Sequence, residues 1–300
     1  MAANDDIFSV LRGDRPSISG EESRLIQEVV HGHCGVQHGI DSDFFLERRI
    51  GPRLEALGLS SYRDYYHYLR YDPSGPGELE ELIERITTHE TYFFREQYQL
   101  DAFTDEILPE VARVNAERRS LNVWSAGCST GEEVYTIAML ILERKQFRDW
   151  HVRVAGSDIS RRVLEKARAA IYGPYSFRTT PDVLRQRYFD ERDGQYHLRE
   201  QVRQLCSFGQ LNLMHTERFR VIGSCDVIFC RNVLMYLSQE ARARVVSAFY
   251  DVLRPGGWLL LGHSESLLNV TTRFDIAHLE NDLVYRKPLE ARSHGGGTRR

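Results

Sequence analysis

The chain has 300 residues, 42% hydrophobic and 27% charged, enough to bury the cores of one large domain and a smaller one. A net charge of −4 argues against a broad nucleic-acid footprint, and no apolar run approaches the ~20 residues of a membrane span, so neither nucleic-acid binding nor membrane insertion is expected. The five cysteines (Cys34, Cys128, Cys206, Cys225, Cys230) show no CxxC spacing, so no metal site or redox pair is expected; a reducing cytoplasm suits them, and the polar start MAANDDIFSV does not read as a secretory signal.

Residues 1–16 lack periodicity and are expected to be flexible. From 18 to 86 the pattern is helical. Ser19 and Glu22 form a capping box ahead of Leu25, Ile26, Val29 and Val30, which repeat at helical spacing. Further helices are predicted over 44–57, stopping at Gly58, over 62–69, and over 79–86 after the breaker DPSGPG at 72–77. Thr87 and Glu90 read as a second capping box, predicting a helix over 91–103.

From Leu121 the rhythm changes to strand and helix in alternation. Strands are predicted at 121–126, 152–157, 225–230 and 258–262, and helices at 132–142, 160–170 and 239–253. A closing hairpin at 274–279 and 283–287 turns at Asn281-Asp282. Such alternation predicts an α/β domain with a mostly parallel sheet covered on both faces. Between 172 and 213 the rhythm lapses, and short strands at 196–198 and 202–208 suggest a hairpin excursion. The expected domains are a helical one at 17–86, a connecting segment at 87–103, and an α/β domain at 104–289 with its excursion at about 174–210. A disordered tail is expected at 290–300.

The strongest chemical signal is WSAGCSTGEE at 124–133, a strand running into a turn with Gly127 and Gly131 and then a helix. Ligands of open α/β sheets bind at such carboxyl ends, where glycine lets them approach the backbone. The spacing is not that of a dinucleotide fingerprint, and Glu132 and Glu133 would repel a pyrophosphate, so a cationic ligand fits better; alternatively the two acids only complement the helix dipole. Asp158, ending the next strand, suits either the two hydroxyls of a ribose or an N-cap. In CDVIFCRNVLMY at 225–236, Arg231, Asn232 and Tyr236 follow a buried strand. Asn232 offers donor and acceptor, and Tyr236 an aromatic face for a sulfonium; alternatively the stretch only starts a helix, with Tyr236 packed on the sheet. Asn212-Leu213 lies comparably and suits an adenine edge or a simple turn.

Four stretches together resemble the CheR-type chemotaxis receptor glutamate O-methyltransferases: TTHETYFFRE (87–96), WSAGCSTGEE (124–133), DVIFCRNVLMY (226–236) and LRPGGWLLLGHSES (253–266). The resemblance spans about 18 to 287. It implies a class I methyltransferase fold, a Rossmann-like, mostly parallel α/β sheet with an N-terminal all-helical domain and a small hairpin subdomain. It implies S-adenosyl-L-methionine as cofactor, leaving S-adenosyl-L-homocysteine. By matching motifs, His89, Thr91, Arg95 and Gly127 should border the cofactor, and Glu133 should hold its amino acid end. Asp158 should take the ribose, and Asn212, Leu213, Asn232 and Val233 should line the nucleoside. Arg95 and Tyr236 should flank the transferred methyl as the catalytic pair. The family pattern has asparagine where this chain has His89, which can still donate a hydrogen bond.

The implied acceptor is a glutamate of a chemoreceptor's cytoplasmic helices. A glutamate with an ordinary pKa of about 4.3 is already ionised, so no general base is needed. Arg95 would hold the carboxylate and Tyr236 would orient it. The helical domain would recognise the receptor, with Arg48, Arg49 and Arg53 as a candidate basic stripe, although residues 1–85 carry nine arginines against sixteen acids. Some relatives dock the excursion on a tethering pentapeptide; here YFDERDGQYH at 188–197 is short, and tethering is not expected. His263, Ser264 and Glu265 alternate along one strand and cannot make a triad, so a structural role is expected. The competing readings are a class I methyltransferase with another acceptor and a non-catalytic cofactor-sensing scaffold.

Overall fold

The computed structural model describes residues 16–37 and 43–289. The expectations for 1–15 and for the tail at 290–300 lie outside the described residues. The chain divides into two compact units, Met1–Thr88 and His89–Arg300. No helix among the described residues is long and apolar enough to cross a membrane.

The first unit is all helical: α1 (Gly20–Cys34), α2 (Asp43–Leu57), α3 (Tyr62–Tyr71) and α4 (Gly75–Ile86). Ser19 caps α1 through the amide of Glu22, whose carboxylate returns the bond, and Gly35 closes the helix in the left-handed conformation at φ 71. Ile26, Val30, Leu46, Ile50, Leu54, Tyr65 and Leu82 form its core. A carboxylate is buried with them. Glu78 accepts from the Tyr65 hydroxyl at 2.7 Å and from Arg53 Nε at 2.9 Å. Arg53 is therefore turned to a buried acid, and only Arg48 and Arg49 of the expected stripe remain exposed. The breaker at 72–77 is also shorter than expected, because α4 already starts at Gly75 with Pro76 in its first turn. A Cβ at Gly75 would lie 2.7 Å from the carbonyl of Leu69, so only glycine lets α4 begin this close to the end of α3.

The expected helix over 91–103 begins six residues late. Residues 87–96 are irregular, and helix starts only at α5 (Gln97–Ala102), passing through a π turn (Phe103–Ile107) into α6 (Leu108–Val114). The supposed Thr87 cap is spent on α4, since its hydroxyl donates to the Ile83 carbonyl at 2.7 Å. Burial of two neighbouring aromatics then overrides local propensity. Phe93 packs on Tyr172, Phe177 and Phe189, while the amide of Phe94 donates to Thr136 Oγ1.

The second unit is built on a seven-stranded sheet. Its strands are β1 (Ser120–Ala126), β2 (His151–Asp158), β6 (Cys206–Gln210), β7 (Cys225–Cys230), β8 (Leu253–Leu261), β9 (Asp275–His278) and β10 (Leu283–Arg286), in the order β6-β2-β1-β7-β8-β10-β9. The first five are parallel, and β10 and β9 close one edge antiparallel. The expected closing hairpin forms this edge. Helices α7 (Glu132–Leu142), α8 (Arg161–Ala169) and α11 (Gln239–Val252) cover the sheet; between α8 and α11 lie the short α9 (Asp182–Tyr188) and α10 (Glu200–Arg203). Trp124 on β1 packs on Phe249 of α11, while Phe229 on β7 packs on Phe103, so aromatics seal both faces.

A second, three-stranded sheet runs β3-β5-β4, with β3 (Ile171–Tyr172), β4 (Phe189–Arg192) and β5 (Gln195–Leu198). The expected excursion reached too far. Residues 206–210 are not part of it; they pair with β2 as the parallel edge of the main sheet. Residues 202 and 203, read as the start of a strand, instead end the turn-length α10.

Candidate active site

The strand order reverses between β1 and β7: the chain passes from β1 to β2 and β6 on one side, and from β7 to β8 on the other. Such a switch point opens a crevice at the strands' carboxyl ends. Here β1 runs into the glycine turn and β7 into Arg231-Asn232. Gly127 has φ 81, and its amide and that of Cys128 donate to the Ser157 carbonyl at 2.8 and 2.9 Å. A Cβ at Gly127 would stand 2.4 Å from Cγ2 of Val233, so the structure brings these two predicted residues into contact. Gly131, at φ 92, serves packing instead: a Cβ there would meet that of Ala167 on α8 at 2.9 Å.

Asp158 ends β2 and is buried. Its carboxylate accepts from the Ser129 amide at 2.8 Å and the Ser160 amide at 3.0 Å. The N-cap of α8 is Ser160, whose hydroxyl accepts from the amide of Val163 at 3.1 Å. Asp158 thus ties the glycine turn to the end of β2. Its carbonyl accepts from the Leu211 amide at 2.9 Å, which brings Asn212 and Leu213 alongside. Asn212 Oδ1 accepts from the Met214 amide at 3.0 Å, a local turn after β6.

The two acids after the turn face different surroundings. Glu132 is buried, accepting from Thr130 Oγ1 at 2.6 Å and Ser176 Oγ at 3.2 Å. Glu133 accepts from Ser125 Oγ at 2.7 Å and faces Arg231, whose NH1 lies 3.5 Å away. Burial pushes the Glu133 carboxyl above its ordinary range, against the pull of the Arg231 guanidinium and the Ser125 hydroxyl.

Arg231 keeps only 3% of its side chain exposed. Its NH2 donates to the Arg95 carbonyl at 2.6 Å and lies 3.3 Å from Glu96, while among the described residues Nε has no acceptor. The segment carrying the predicted residues His89, Thr91 and Arg95 is fastened to the crevice. Ser129 Oγ donates to the His89 carbonyl at 3.3 Å, and the Phe93 amide to the Ser176 carbonyl at 2.9 Å. Thr91 lies half-buried between them, and Arg95 donates to the Glu90 carbonyl at 2.9 Å.

Asn232 takes a left-handed conformation at φ 58, and a 3-10 turn (Leu234–Tyr236) follows with Tyr236 half-buried. Glu265 holds this loop. Its carboxylate accepts from the amides of Asn232, Val233, Met235 and Gly262 at 2.8, 2.9, 3.0 and 2.7 Å. Sequence reasoning gave Glu265 only a generic structural role and gave Arg231 none. The signal for Arg231 was a charge placed directly after a strand that is buried at every position.

The set of acceptors suits a ligand with a cationic amino acid end and a nucleoside. Carboxylates of Glu133 and Asp158 stand on neighbouring elements, Glu96 adds a third, and the turn between them has no room for a side chain at Gly127. A phosphate would meet these acids unfavourably. Residues 89–282 match the family model described as CheR methyltransferase, SAM binding domain, and residues 21–87 match the one described as CheR methyltransferase, all-alpha domain. Chemotaxis protein methyltransferase 2 of Vibrio cholerae is 36% identical over 252 residues, covering 83% of this chain and 87% of its own. A chemotaxis protein methyltransferase of Vibrio parahaemolyticus is 33% identical over 277 residues, covering 90% and 98%. One from Borreliella burgdorferi is 34% identical over 252 residues, covering 82% and 88%. Family matches that follow one another from 21 to 282, on a mostly parallel sheet with a switch point between β1 and β7, identify the chain as a member of the CheR methyltransferase family and an S-adenosylmethionine-dependent methyltransferase.

Proposed function

We propose that the protein methylates glutamate side chains on the cytoplasmic helices of bacterial chemoreceptors, forming methyl esters in sensory adaptation. The observation that carries this reading is the fastening of the 89–96 segment to the cofactor crevice, which sets the Arg95 backbone against Arg231 and thereby beside Glu133. S-adenosylmethionine supplies a methyl group activated by a sulfonium. Glu133 receives its ammonium group, Asp158 its ribose hydroxyls, and Asn212, Leu213, Asn232 and Val233 its nucleoside, with His89, Thr91 and Gly127 closing the rim. Arg95 pairs with the incoming carboxylate, and Tyr236 orients it towards the methyl. No proton has to be removed, because the acceptor is ionised at neutral pH. The residues contribute alignment and exclusion of water. The ester product is uncharged, so Arg95 holds it less strongly than the substrate and release is favoured.

The test incubates the protein with radiolabelled S-adenosylmethionine and membranes bearing chemoreceptors. Label leaving as methanol in mild alkali is the expected result. Base-stable label would instead favour another acceptor, and cofactor binding without transfer would favour a sensing scaffold.

In this reading the helical unit recognises the receptor in the cytoplasm, with Arg48 and Arg49 available to its acidic helices. We infer no pentapeptide tether. The β4–β5 hairpin closes with only Asp193 and Gly194, both at positive φ, a tight turn with little surface beyond the strands. Micromolar binding of a receptor-derived pentapeptide in a calorimetric titration would sink this inference.

A further inference from the structure

We propose that Arg231 is a positioning residue of this site: one buried guanidinium orients the Glu133 carboxylate for the cofactor's ammonium group and, through the Arg95 carbonyl, fixes the arginine that faces the acceptor. The proposal rests on the roles given above to Glu133 and Arg95.

A guanidinium is retained in a buried place only when its donors find acceptors. That of Arg231 faces three: Glu133 Oε2 at 3.5 Å from NH1, and the Arg95 carbonyl at 2.6 Å and Glu96 Oε2 at 3.3 Å from NH2. Among the described residues its Nε has no hydrogen-bond partner. The three acceptors come from two elements, Glu133 from α7 and the Arg95 carbonyl and Glu96 from the irregular segment ahead of α5, and are reached from the end of β7. The reversal at Asn232, held by Glu265, sends the main chain away and leaves Arg231 pointing inward. A lysine could supply the charge at this place but not a planar fork spanning all three acceptors.

The charges around Glu133 explain why a cation is required. From the 89–96 segment Glu96 raises its carboxyl and Arg95 lowers it. The Cys128 and Cys230 thiols, from the glycine turn and β7, are held neutral by burial, and Asp158 lies across Cys128. Glu132 is engaged with Thr130 and Ser176. Beside Glu96 and Arg231 stands Tyr98. Without Arg231, two carboxylates would face one another with only Arg95 to offset them. Glu133 would then take up a proton at higher pH and lose its hold on an ammonium group.

S-adenosylhomocysteine reports this directly, because it keeps the ammonium and nucleoside and cannot be turned over. It is titrated calorimetrically into the full chain and into R231M and R231K between about pH 5 and 8.5, a range centred on neutrality above the ordinary carboxylate value. For R231M we expect affinity at neutral pH to fall roughly tenfold to a hundredfold, as for loss of a charge-assisted contact, and the acid limb of binding to move to higher pH. R231K should retain most of the affinity at neutral pH yet lose kcat far more than it changes KM, because the Arg95 backbone is no longer held. Unchanged affinity and an unchanged acid limb in R231M would overturn the proposal. If R231M gives no cooperative melt, R231K decides: full affinity, the parent's acid limb and the parent's kcat together would overturn it. Failure of the parent chain to bind the nucleoside at all would overturn the cofactor reading, and this proposal with it.

Discussion

Replacing Gly127 with alanine tests the geometry of the crevice through two separable costs. At φ 81 an L-residue carries a left-handed backbone penalty of roughly 1–2 kcal/mol. The new methyl would also stand 2.4 Å from Val233 Cγ2, an overlap that has to be relieved by displacing a β-branched side chain on the neighbouring loop. Overpacking of this kind costs about 1–3 kcal/mol. The sum, about 2–5 kcal/mol, is expected to divide between a lower unfolding free energy and weaker binding of S-adenosylhomocysteine. The steric share belongs to the pair and the backbone share to Gly127 alone. Val233→Ala by itself removes two half-buried methyl groups, worth roughly 1.5 kcal/mol or less. In the double variant the steric share should be recovered, so urea denaturation and calorimetry on all four proteins should give a favourable coupling of about 1–3 kcal/mol. Coupling below about 0.5 kcal/mol would mean that the turn and the loop after β7 do not touch, and the account of the crevice would be wrong.

Arg53→Met should destabilise the helical unit by about 3 kcal/mol, because it leaves the buried Glu78 carboxylate without its guanidinium, the loss being moderated by the Tyr65 hydroxyl that still donates to it and by the 20% of the Arg53 side chain that water already reaches; chemical denaturation measures it, and a neutral result would show that the pair is not desolvated. Slight burial raises the Glu22 carboxyl, but hydrogen bonds from Ser19 and the Arg63 amide outweigh it and bring the group below its ordinary value of 4.5. Its folded pKa is thus the depressed one, so its contribution is present above about pH 4.5 and disappears as pH falls through the folded value. The melting difference between the parent chain and Glu22→Gln should accordingly be larger at pH 7 than at pH 3, and an equal difference at both would refute this. Glu265→Gln removes the charge and one of the two oxygens that hold four amides, and is expected to weaken S-adenosylhomocysteine binding roughly tenfold while the melting temperature moves little; unchanged binding would show that the loop keeps its shape without the charge.

The alternation of buried strands and helices was legible because each element carries its own period. The run 225–230 is buried at every position, as a central parallel strand requires, and the glycine turn is marked by residues with few other uses. The cap of α1 was equally local, a reciprocal bond within four residues. The 87–96 segment was misread for the converse reason. Its capping pattern is a local signal, but its conformation is set by where Phe93 and Phe94 can be buried and by acceptors more than 40 residues away in sequence, such as Thr136 Oγ1.

Sequence alone determined the alternating strands and helices on either side of the glycine turn, the turn itself and the residue types that suit a cationic nucleoside, since these follow from periodicity, backbone freedom and charge over a few neighbouring positions. Only the tertiary structure decided which of the two acids after the turn faces Arg231, that 206–210 extend the main sheet, and that Arg231 and Glu265 hold the loops around the crevice. Each of these depends on which distant group fills a buried donor or acceptor, and that is settled only when the elements pack.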